Sequence, residues 1–206
     1  MHKSFISIVF SLAIFLCSLN SALAITNEKI LIIGDSLSAG HGMKIQYSWP
    51  YLLQKKYLQS NKSAQIINAS ISGETTFGGN NRIQDLLQNY QPQIVIIELG
   101  GNDGLRGLNF KLSKKNIQSM IQTAQQKNIK VLLVGVRLPS NLGKLYNLKF
   151  QQMYESLAKE NDIAYLPTFL KGIAENPKLM QNDRIHPTEK AQSILTDKVF
   201  NALEKI

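Results

Sequence analysis

Five short apolar runs, at residues 30–33, 65–68, 94–99, 130–136 and 163–166, alternate with longer amphipathic stretches, and that alternation most narrows what this chain can fold into. A run such as Ile94-Val95-Ile96-Ile97 has no polar face, which suits a strand buried on both sides. The stretches between the runs are long enough for crossover helices. These are expected from near Trp49-Pro50 and over 80–90, 113–128, 144–161 and 188–206, the last started by Pro187 and Thr188. The pattern predicts an α/β fold of three layers, α/β/α, around a five-stranded parallel sheet. Ligands bind beyond the carboxyl ends of the strands in such a sheet, so the residues after each run are where chemistry is expected.

The N-terminus reads as an export signal: Lys3, an apolar stretch over 5–19, and the small-residue site Ala22-Leu23-Ala24. Asn20 and Ser21 interrupt the stretch before it reaches the roughly 20 apolar residues that a spanning helix needs, so cleavage after Ala24 is expected, and with it a periplasmic or secreted location. Cys17 follows Phe15-Leu16, where lipidation would call for a small residue. Removal of residues 1–24 leaves no cysteine, which excludes a structural disulfide, a thiol nucleophile and a cysteine zinc site. Residues 25–206 are expected to form one domain and to act as a monomer. The net charge of +9 favours anionic surroundings, but the basic residues form no compact arginine-rich run, so nucleic acid is not expected as a partner. Solvated helix faces account for most of this charge, with peripheral contact to an anionic membrane as the alternative.

Ser36 stands in Gly34-Asp35-Ser36-Leu37-Ser38, directly after the first run, and Gly34 permits the tight turn that would present its hydroxyl. A serine hydroxyl is a weak nucleophile until an imidazole takes its proton and a carboxylate orients that imidazole. Asp183-Arg184-Ile185-His186-Pro187 supplies both, at a spacing that lets one turn hold acid and base together. His41 is the other histidine remaining after residue 24; it has no acid at a matching spacing and is expected at the rim. Gly73, after the second run, and Gly100-Gly101-Asn102-Asp103, after the third, fall at the same end of the sheet. A backbone N–H at Gly73 and the Asn102 amide are therefore expected to point into the cleft. No phosphate-binding glycine loop, His-x-x-x-His pair or Gly-x-Ser-x-Gly elbow occurs.

Taken together, the blocks at Ser36, Gly73, Asn102 and Asp183 with His186 resemble the SGNH hydrolases of the GDSL family, whose fold is flavodoxin-like. The resemblance runs from residue 30 to about 195 and is strongest over 68–75, 98–107, 137–147 and 180–187, towards the multifunctional periplasmic thioesterase, arylesterase and lysophospholipase subgroup. It implies Ser36 as nucleophile, His186 as base and then acid, Asp183 as the residue orienting His186, and an oxyanion hole from the Ser36 and Gly73 N–H groups with the Asn102 amide. It implies small-molecule acyl ester or thioester substrates, lysophospholipid-like ones included, and neither metal nor cofactor. Two positions depart from the pattern: His41, where an aromatic such as tyrosine is common, and Arg184, at a spot often filled by a small residue.

Leu105, Leu108 and Phe110, with Leu138, Leu142 and Leu145, are candidates for an acyl groove, and loops carrying Gly78-Gly79 and Gly104 or Gly107 are candidates to close over a bound chain. Carbohydrate O-deacetylation within the same fold, which calls for a shorter and more polar pocket, and a non-catalytic lipid or glycan binder are the alternatives.

Overall fold

The apolar runs become strands β1 (Glu28–Gly34), β2 (Ala64–Asn68), β3 (Ile94–Glu98), β4 (Lys130–Val134) and β5 (Ala164–Leu166), all parallel, in the order β2-β1-β3-β4-β5. The computed structural model describes residues 28–167 and 169–206, so the expected export signal lies outside the described residues. Register pairs Ile32 with Ile96 and Ile33 with Ile97, and all four residues Ile30, Leu31, Ile32 and Ile33 have no exposed surface. Burying one such side chain is worth about 2 kcal/mol, so the middle of the sheet is also its strongest anchor. The chain leaves β1 on one side to form β2 and crosses to the other side for β3. That reversal of direction opens a crevice at the carboxyl ends of β1 and β3.

Helices cover both faces: α1 (Ser36–Ala39), α2 (Trp49–Gln59), α3 (Thr76–Tyr90), α4 (Gly101–Leu105), α5 (Phe110–Gln125), α6 (Lys144–Asn161) and α7 (Glu189–Leu203). One layer is α2 packed on α7; the other is α3 on α5 on α6. Among the described residues no helix is long and apolar enough to cross a membrane.

Several boundaries differ from the sequence expectation for identifiable reasons. Helix α3 begins at Thr76, not residue 80, because Thr75 caps it by accepting the Gly78 N–H at 3.3 Å. Gly78 and Gly79 are thus helical rather than part of a closing loop. Gly79 is buried against Leu99, whose Cδ1 would lie 2.3 Å from an added Cβ. Gly104 is likewise inside α4, packed against Leu138. Helix α5 starts three residues earlier than expected, with Asn109 accepting the Lys111 N–H at 2.9 Å. Strands β3 and β4 stop short of residues 99 and 136, since the chain there turns out of the ladder.

One core contact positions the cleft directly. The buried Tyr154 hydroxyl donates to the Leu99 carbonyl at 2.6 Å, beneath Gly100. Gly100 has φ of 116°, and a Cβ there would come within 2.2 Å of the Tyr154 oxygen, so only glycine allows the turn that delivers Asn102.

Candidate active site

Beyond the carboxyl end of β1, Asp35 caps the short helix α1 by accepting the Leu37 N–H at 3.0 Å, which leaves Ser36 as its first residue. Gly34 is needed beneath it: an added Cβ would sit 2.8 Å from the Ser38 side chain and 2.9 Å from Glu98 Oε2. From the far end of the chain, His186 Nε2 comes within 2.9 Å of Ser36 Oγ, while His186 Nδ1 lies 2.7 Å from Asp183 Oδ2. An imidazole held between a hydroxyl and a carboxylate can take the hydroxyl proton and have the resulting charge stabilised.

The loop bearing Asp183 and His186 is closed by its own backbone. Met180 bridges Pro187, the Gln181 N–H donates to the His186 carbonyl at 2.8 Å, and the Arg184 N–H donates back to Gln181 at 2.9 Å. The Gln181 side-chain amide also donates to the carbonyls of His41 and Pro187, at 2.9 and 3.0 Å, tying this loop to the one that follows α1. Arg184 adopts φ of 58° in the tight turn, a left-handed conformation uncommon for any residue other than glycine. Asp183 Oδ1 accepts the N–H groups of Ile185 and His186 at 2.9 and 3.0 Å. Desolvation pushes the Asp183 carboxyl up, but the hydrogen bonds from the His186 ring and from these two N–H groups, with the charge of His186, outweigh it and hold the carboxyl down at about 2.

His41, expected at the rim, is exposed there, with its ring centroid 4.3 Å from that of His186 and the planes tilted by 34°. His41, Asp183 and His186 bring ligand atoms within 4.8 Å of one another. A cation held by all three would compete with the bond between Asp183 and His186.

Asn102, on α4, donates both Nδ2 hydrogens to protein acceptors, Asp35 Oδ2 at 3.1 Å and the Glu74 carbonyl at 3.0 Å. Among the described residues no protein acceptor takes the backbone N–H of Ser36 or of Gly73. Gly73 has φ of 81°, and its carbonyl accepts from Arg106 at 3.1 Å.

Three buried carboxyls lie under this group, and residue spacing alone does not reveal them. Asp103 accepts from the Thr76 N–H, the Thr76 hydroxyl and the Ser113 hydroxyl at 2.9, 2.5 and 2.8 Å, joining α3, α4 and α5. Glu98 has no exposed surface and accepts from the Ser38 hydroxyl at 2.7 Å; burial first, and the neighbouring Asp35 charge second, push its carboxyl well above the usual range. Burial likewise pushes Asp35 up, to about 6, against the lowering effects of the Leu37 N–H, the His186 charge and the Asn102 amide.

A carboxyl whose folded pKa is raised binds its proton more readily folded than unfolded, so its contribution to stability is lost as pH rises from about 4 to about 6. The rise from 3.8 to about 6 corresponds to about 3 kcal/mol. Asp35→Asn is therefore expected to gain stability relative to the wild type by up to that amount between pH 4 and pH 7. Urea denaturation of both proteins at the two pH values measures the difference, and parallel pH profiles would contradict it.

Ser36, Asn102 and His186 open onto a cavity of about 890 Å³, whose apolar lining includes Leu105, Val136, Leu138, Leu142 and Leu170. Leu108 and Phe110 do not line it, contrary to the sequence reading. Helix α4 ends at Leu105, leaving Leu108 in an exposed turn, while Phe110 opens α5 and packs its ring on Tyr146 and Phe150 at 4.7 and 5.2 Å. Leu145 is also outside the lining, on the exposed face of α6. At the rim, Arg137 pairs with Glu175.

Comparison with known proteins converges on one family. The chain is 39% identical over 195 residues to the arylesterase of Vibrio mimicus, covering 95% of this chain and 96% of that protein. It is 41% identical over 179 residues to thioesterase 1/protease 1/lysophospholipase L1 of Escherichia coli K12, covering 87% and 85%. The crystal structure of TesA superposes with a TM-score of 0.85 at 40% identity, covering 86% of this chain and 99% of that one. The sequence pattern of the GDSL-like lipase/acylhydrolase family matches residues 32–194, and the chain belongs to that family.

Proposed function

We propose that the chain is an exported serine esterase that hydrolyses acyl esters and thioesters, lysophospholipids among them. The observation that carries this reading is the line of hydrogen bonds from Asp183 through His186 to Ser36 at the end of a leucine-lined cavity. Ser36 Oγ attacks the acyl carbonyl as His186 Nε2 takes its proton. The oxyanion is met by the Ser36 and Gly73 N–H groups and by the Asn102 amide, which exchanges one of its two protein acceptors for it. As the carbonyl re-forms, the alcohol or thiol leaves with the proton from His186, giving an acyl-serine. Water, deprotonated by His186, then attacks that ester, and the proton returns to Ser36 as the acid departs. Asp183 holds the ring in the tautomer both halves require, and no metal or cofactor takes part.

The names of the relatives, arylesterase and thioesterase 1/protease 1/lysophospholipase L1, support both ester and thioester substrates. Export by cleavage after Ala24, a single domain over 25–206, a monomeric state and peripheral contact with anionic membrane belong to the same proposal. A carbohydrate O-deacetylase would call for polar groups where Leu105, Leu138, Leu142 and Leu170 stand.

Hydrolysis of p-nitrophenyl esters of graded chain length is the test. Turnover that favours medium or long chains over acetate is expected; acetate-only activity would transfer the protein to the deacetylase reading, and a folded protein without turnover would leave it a binder.

A further inference from the structure

Residues 104–154 hold nine lysines and arginines and no aspartate or glutamate, so this quarter of the chain carries a surplus equal to the whole net charge of +9, and the rest is balanced. The same segment holds six exposed leucines, Leu105, Leu108, Leu112, Leu142, Leu145 and Leu148, each between 37% and 64% exposed. Leu105 and Leu142 also line the cavity. The Tyr146 hydroxyl donates to the Gly104 carbonyl at 2.8 Å, and the Tyr146 ring lies 4.7 Å from that of Phe110, so residues 104–110 run beside the start of α6. Leu148 follows Leu145 by three positions and therefore shares its face of α6.

Interspersed with these leucines are Lys111, Lys144 and Lys149, none of which has a carboxylate partner among the described residues. The contrast is with Lys56, Lys62 and Lys114, which all pair with acids. Leucines flanked by unpaired cations at the edge of an apolar cavity match the boundary of an anionic bilayer, where apolar side chains enter the acyl region and cations meet the headgroups. Nucleic acid would use the cations and leave the leucines uncovered.

We propose that this face, formed by the turn after α4 and the first turns of α6, docks on an anionic phospholipid surface and brings the cavity to the boundary of headgroups and acyl chains. The orientation rests on reading the cavity as an acyl site; the docking does not.

The exported protein, purified, is sedimented with vesicles of phosphatidylcholine alone and with vesicles also containing phosphatidylglycerol, as wild type, as Lys144→Gln with Lys149→Gln, and as Leu145→Ser with Leu148→Ser. The wild type is expected to favour the anionic vesicles by about tenfold or more, and the lysine variant to lose about fivefold per charge removed. The leucine variant is expected to bind more weakly as well, while both variants hydrolyse soluble p-nitrophenyl butyrate like the wild type. Equal binding to the two vesicle types, or both variants binding as the wild type does, overturns the docking. Sedimentation needs no turnover, so failure of the esterase reading would register separately, as absent butyrate hydrolysis.

Discussion

His186→Ala is expected to lose about 10⁴-fold or more in kcat towards any p-nitrophenyl ester while its fold is retained. The ring is the group within 2.9 Å of Ser36 Oγ, and without it the hydroxyl must attack as a neutral alcohol. The remaining rate should not depend on His41. Its ring lies tilted against that of His186 but has no hydrogen bond to Ser36 or to Asp183, so His41→Ala should cost little and the double variant no more than His186→Ala alone. Asp183 requires more care, because Oδ1 also accepts two backbone N–H groups that shape the loop. Asp183→Ala removes the loop's anchor as well as the ring's partner. Asp183→Asn can keep the Oδ1 contacts while placing an amide against Nδ1, which favours the wrong tautomer and should by itself cost about 10⁴-fold. A His186→Ala variant within tenfold of the wild type would remove the imidazole from the mechanism.

The strands were legible because a parallel strand covered on both faces must be apolar throughout, and runs such as Ile30 to Ile33 record that constraint directly. The pairing of Asp183 with His186 was legible for a related reason: three residues of spacing is a local geometry. Helices α1 and α4 were not, since four or five residues complete barely one turn and show no period. Gly78 and Gly79 read as a flexible loop because glycine signals both freedom and close approach, and only the position of Leu99 distinguishes the two. Phe110 read as groove lining because an apolar residue after a glycine-containing turn gives no indication of which side it faces. The buried acids were hidden most deeply: Glu98 closes an apolar strand, and the upward push on its carboxyl comes from burial and from the neighbouring Asp35 charge, neither of which the sequence displays. The basic surplus was visible all along, as the absence of acids from residues 104–154 rather than as a dense basic run.

Asn102→Ala should fold and bind substrate but turn over about 100- to 1,000-fold more slowly, the usual cost of one lost oxyanion donor. Both Nδ2 hydrogens are engaged in the structure, so the amide serves an oxyanion only by giving up Asp35 Oδ2 or the Glu74 carbonyl. A carboxylate is the stronger acceptor. On the proposed mechanism the Glu74 bond would therefore be the one exchanged, with the Asp35 bond keeping the amide aimed. Asn102→Asp separates donation from shape: it nearly preserves volume but removes the donor, and it sets a second carboxylate beside Asp35, already pushed up to about 6 by burial. That variant should be at least as slow as Asn102→Ala, and its like-charge contact should raise Asp35 further. If the side chain acted only by filling space, Asn102→Asp would retain activity close to the wild type and Asn102→Ala alone would fail. A loss confined to KM would instead mean that Asn102 binds substrate and transition state equally, whereas a fall in kcat with KM unchanged is the mark of a donor used only as charge develops on the oxygen.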